Sequence, residues 1–108
     1  MRKRTKQFAV RSIRLFQALP KTDEARIIGK QFLRSATSVG ANYRAVCRAR
    51  SKAEFFSKLS ITLEEADESK FWMEVMIESE IMSEQRLAGL MKEAGEITAI
   101  LTTARSNT

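Results

Sequence analysis

Five cations occur at spacings that place them together. Arg26, Lys30, Arg34, Arg44 and Arg48 fall within an arc of roughly 80° when successive residues are set 100° apart on a helix. Such a row can neutralise phosphates, and Arg2, Lys3, Arg4 and Lys6 add a basic, mobile segment at the start of the chain. Beside the row, Ser35, Ser38 and Asn42 share a polar border. Glu64 and Glu68 stand four apart further along, so the border could hydrogen-bond those carboxylates and fix helix register, or it could form a ligand site.

Charge is divided between the two halves. Through Lys52 there are fourteen Lys and Arg against two acids, a net +12. From Ala53 onward there are five against eleven, a net −6. Asymmetry of this size suggests that the basic half contacts nucleic acid, or that basic and acidic helices lie together and neutralise each other.

The side chains of common catalytic sites are missing. With no histidine there is no Ser-His-Asp triad and no Glu-x-x-His metal motif, and no Gly-rich phosphate loop occurs. Glu64, Glu65, Asp67 and Glu68 could offer carboxylates to a cation, but acidic runs are usually solvated or salt-bridged. The reading is a non-enzyme with no catalytic residue, cofactor or metal. Cys47 excludes an intramolecular disulfide and, on the apolar arc of its segment, reads as an inert core residue. No apolar run follows "MRKRTKQFAV" or approaches the roughly 20 residues of a membrane span, so a cytoplasmic protein without a membrane partner is expected.

The elements that must position these groups are helices. Four glycines and one proline in 108 residues leave few sites for tight turns, and no strand pattern competes. Helices are predicted over about 5–18, 23–48, 52–79 and 84–105 within one domain spanning 1–108. Thr22 reads as an N-cap, and Ser51 and Glu54 have capping-box spacing. Short connections make this an all-α, antiparallel up-down-up-down four-helix bundle. Core stripes are expected through Ala9, Ile13 and Phe16; through Phe56, Leu59, Leu63, Ala66, Met73 and Ile77; and through Leu87, Leu90, Met91, Ala94, Ile97 and Leu101.

In the second segment Ala25, Gly29, Ala36, Gly40 and Cys47 form a small-residue seam, which permits close backbone approach or accepts bulky neighbours such as Phe8, Phe16, Phe55 and Phe56. In the third, Ile61 and Trp72 project from nearly the opposite side to the core. With Phe71, Val75 and Met76 they suggest an interface between subunits.

The segment "QFLRSATSVGANYRAVCRARSKAEFFSKLSITLEEADESKFWMEVM" resembles the bacterial four-helix-bundle proteins named after intervening sequences in 23S rRNA genes. The resemblance extends from "LFQALP" to "EAGEITAIL" and is carried by "RSATSVGAN", "RARSKAEF" and "EADESKFW". It implies an up-down-up-down bundle in a homo-oligomer, commonly a pentameric ring, with no established reaction. A related group serves as accessory factors of diversity-generating retroelements, binding a reverse transcriptase and nucleic acid. The resemblance thus favours RNA or DNA as partner, with a protein partner or a purely structural scaffold as the alternative.

Overall fold

A computed structural model describes residues 1–107 of the chain. Its elements are α1 (Arg2–Gln17), α2 (Asp23–Cys47), α3 (Lys52–Glu78) and α4 (Glu84–Ser106), and no strand occurs among the described residues. Each helix packs on its neighbours around a ring (α1 on α2, α2 on α3, α3 on α4, and α4 back on α1), while the diagonal pairs stay apart. The result is the expected antiparallel bundle, a rod of about 45 × 19 × 18 Å. The α1–α4 seam is much the thinnest of the four.

Local chemistry sets the helix ends. Thr22, Ser51 and Ser83 adopt extended backbone, and each hydroxyl accepts a hydrogen bond from the amide three residues on, satisfying a donor the helix cannot. The α3 end closes differently. Ile81 N–H donates to the Met76 carbonyl (2.9 Å) and Glu80 N–H to Ile77 (3.1 Å), with Glu80 left-handed at φ 63°. This is the two-bond Schellman closure, in a position that glycine usually fills.

The core runs the length of the rod, with Phe8, Phe32, Met73, Leu87, Ile97 and Leu101 essentially sealed from solvent. Two of its stripes differ from the sequence expectation. On α1 the inward residues are Thr5, Phe8, Ser12 and Leu15, while Ile13 is exposed and Ala9 and Phe16 only partly covered. The inward face carries two small hydroxyl residues: Thr5 donates to the carbonyls of Met1 and Arg2 one turn back, and Ser12 has no hydrogen-bond partner among the described residues. On α3 the stripe is Leu59, Thr62, Leu63, Ala66, Ser69, Met73 and Met76. Phe56 is about half exposed, and Phe55 packs against the core instead.

The small seam on α2 does both things small residues allow. At Gly29 a Cβ would meet Leu19 Cδ1 at 2.6 Å and the Phe16 ring at 3.1 Å, so bulky side chains fill that space. At Gly40 it would meet the Thr5 carbonyl oxygen at 3.2 Å, so there the α1 backbone itself comes down onto α2. That close approach sets where the ends of these two helices lie.

Candidate nucleic-acid interface

Because α1 and α2 are antiparallel and meet at Gly40, the first turns of α1 lie beside the last turns of α2. Between them runs an open groove of about 1080 Å³. Its floor consists of small residues, Ala9, Gly40, Ala41 and Ala45 among them. Arg2, Lys3 and Lys6 line it from α1, and Arg44 and Arg48 from α2. All five are exposed, and among the described residues none has a carboxylate within ion-pairing distance. Glu54, in the first turn of α3, is the single acid on the lining.

The remaining cations of the expected basic surface are placed elsewhere. Arg4 turns the other way, toward α4. Its Nε and Nη2 donate to Glu93 at 3.0 and 2.7 Å, and Nη2 also reaches Glu96 at 3.0 Å. That pairing holds the Glu93 carboxyl below its usual range and raises Arg4. Arg34 bridges α2 to α3 through Glu65 (3.3 Å) and Glu68. Arg26 pairs with Asp23 on its own helix, and Lys30 is exposed outside the groove lining. The single arc read from the wheel thus divides: Arg44 and Arg48 line the groove, Arg34 braces α2 against α3, and Arg26 and Lys30 do neither.

The polar border also resolves differently from the expectation. Ser35, Ser38 and Asn42 do not meet Glu64 or Glu68. Ser35 is buried, donates to the Phe32 carbonyl at 2.9 Å and lies 3.2 Å from the Ser69 hydroxyl of α3. Asn42 Nδ2 donates back to the Ser38 carbonyl, and Glu64 points to solvent. Between α2 and α3 the small hydroxyls of Ser35 and Ser69 thus meet in the core, each also within reach of a carbonyl of its own helix, with the Arg34 ion pairs as the charged link between the two helices. The Trp72 indole donates to Glu68 at 3.1 Å, and with Arg34 this holds the Glu68 carboxyl down.

Two more expectations need correcting. Cys47 is exposed, not in the core: it is the last residue of α2 and lies on the groove lining. Met76 is fully buried within the subunit and has no surface to offer a partner. Of the other residues read as an interface, Ile61 and Phe71 are exposed, while Trp72 and Val75 are partly covered. The Phe71 and Trp72 rings meet edge to face, 4.9 Å apart and 72° inclined. Neither the helical state of Arg2 to Arg4, ahead of the helix expected from about residue 5, nor the groove was foreseen. A wheel extended to residue 2 separates Arg4 from Lys6 by roughly 160°, enough to send them to different seams.

A four-helix bundle with a basic groove along one seam defines the class. The chain belongs to the 23S rRNA-intervening sequence protein family, whose profile matches residues 1–103. A crystal structure of a protein of unknown function, from the S23 ribosomal protein family of Bacteroides thetaiotaomicron, is similar at 34% identity and a TM-score of 0.90, covering 96% of each chain. No curated protein matches the sequence. Among the described residues no cluster of acids and cysteine is arranged to hold a metal ion, and no helix is long and apolar enough to cross a membrane.

Proposed function

We propose that this chain is a non-catalytic, cytoplasmic, homo-oligomeric bundle that binds nucleic acid by its phosphates in the groove between α1 and α2. The observation that carries this reading is the division of the cations. Arg4, Arg26 and Arg34 are neutralised within the subunit, whereas Arg2, Lys3, Lys6, Arg44 and Arg48 converge from two helices with one acid among them. Like charges gathered this closely repel one another, and a polyanion relieves that repulsion while releasing its counterions.

Repetition of the groove around an oligomer would multiply weak phosphate contacts into useful affinity. The exposed Phe71 and Ile61 on α3, away from the groove, supply apolar surface for assembly. The scaffold alternative would have the arginines serve the assembly itself. Arg4 and Arg34 do brace helices, but they reach acids of their own subunit.

Titration of labelled nucleic acid at increasing salt tests the proposal. Affinity should fall linearly in log–log form, and Arg44→Gln with Arg48→Gln should flatten the slope by about 1.4–1.8 while the helical content and oligomer size stay unchanged. Undiminished binding in that variant, or no binding by the parent at low salt, rules out the groove.

A further inference from the structure

The groove has charge but no aromatic platform on which to stack a base. Its lining contains no aromatic ring and no side-chain amide. The non-cationic polar groups are Thr37, Cys47 and Glu54. Thr37 spends its proton inside α2, donating to the Leu33 carbonyl at 2.8 Å, and a carboxylate repels a phosphodiester. The chain's one tryptophan is on α3, hydrogen-bonded to Glu68, and is not part of the lining. We infer that the ligand class of this groove is the sugar–phosphate backbone of a nucleic-acid duplex, in preference to a single strand.

The inference rests on the nucleic-acid reading above and deepens it. Proteins that hold single strands combine a charged track with aromatic platforms, because splayed bases must recover the stacking they give up. Here a bound single strand would be ordered with no aromatic ring on the lining to take its bases. A duplex keeps its own stacking, is already stiff, and presents phosphates at twice the linear density.

The groove suits that ligand in size. Along α2 it extends from Thr37 to Arg48, about 16 Å at the helical rise. One strand of a duplex carries a phosphate per roughly 3.4 Å of axis, so five cations face about as many phosphates. The Gly40 crossing and its alanine neighbours keep the floor low, so a backbone can settle between the two basic rims.

Counterion release then gives numbers. Five contacts imply a log–log salt slope of at most about 4.5 on duplex DNA and about 3.5 on a single strand. If the contacts are to phosphates alone, the two affinities should converge near 1 M salt, and the unit difference in slope becomes roughly 20-fold at 50 mM.

The experiment is fluorescence anisotropy of the full chain with a mixed-sequence DNA duplex of about 20 base pairs and with one of its strands, across about 50–200 mM salt. The duplex is expected to bind 10-fold or more tighter at the low end and to show the steeper slope. Lys6→Gln with Arg44→Gln should lower both slopes and narrow the gap. Equal or tighter binding of the single strand overturns the duplex preference while leaving the groove as a nucleic-acid site. Binding of neither probe at low salt overturns the preference together with the function it rests on.

Discussion

Gly40 does two jobs through a missing side chain. Alanine is better than glycine in a helix by roughly 1 kcal/mol, so every helical glycine asks what compensates it. Here a Cβ would stand 3.2 Å from a backbone oxygen of α1, an atom that cannot rotate away. Gly40→Ala should therefore destabilise the protein by about 1 kcal/mol, the strain of overpacking outweighing the gain in propensity. Gly95 on α4 is the control, since a Cβ there would meet nothing within 4 Å. Gly95→Ala should stabilise by up to about 1 kcal/mol. Urea unfolding of both variants checks the pair, and a stabilised Gly40→Ala would show that the α1 crossing yields. Glu80 poses the reverse question. A β-carbon in left-handed backbone costs about 1–2 kcal/mol, so Glu80→Gly should raise stability by about 1 kcal/mol after glycine's larger entropy loss on folding. Thermal unfolding would reveal it; an unchanged or lowered midpoint would contradict the strain.

At the scale of elements, the thin seam between α1 and α4 depends on ions as well as packing. Arg4 grips Glu93 and Glu96, and the folded state holds the Glu93 carboxyl below its unfolded value. A depressed carboxylate contributes stability that is fully present above its unfolded pKa and lost as pH falls through the folded one. Acidification below about pH 4.5 should thus loosen α1. Glu93→Gln should shrink the acid-sensitive part of the unfolding profile, measured by circular dichroism between about pH 5 and 2. An unchanged profile would mean that the ion pair does not hold the seam.

The same seam shows what the sequence could not reveal. Helix number, order and capping were legible, because Thr22 and Ser51 are strong local signals and Pro20 lies between α1 and α2. The orientation of α1 was not. Burial of Thr5 and Ser12 in place of Ile13 is decided by which neighbour comes close, a tertiary fact that hydrophobic periodicity does not encode. For the candidate site, the cationic residue types were visible. Their partition was not, since Arg34 and Arg44 differ only in what stands across the seam.

At the scale of the whole molecule, the rod has separable surfaces. The groove belongs to α1 and α2, whereas the exposed apolar residues Phe71 and Ile61 belong to α3. Phe71 is about half exposed although it meets Trp72 edge to face, and a second subunit covering it would remove apolar area from water. Phe71→Glu would instead leave a charge facing that packed contact, which is unfavourable unless the contact opens. Light scattering should then report a smaller species than the parent at micromolar concentration, with the helical content intact. A monomeric parent would remove the oligomer altogether, and an undiminished particle would place the interface elsewhere. The same variant tests how assembly serves binding. If each subunit presents one groove, dissociation leaves the salt slope per groove unchanged but removes the gain from simultaneous attachment. Affinity for a duplex long enough to span several grooves should fall about 100-fold or more, while affinity for one short enough to occupy a single groove should hardly move. An equal loss on both lengths would mean that Phe71 shapes the groove itself, and the surfaces would not be independent.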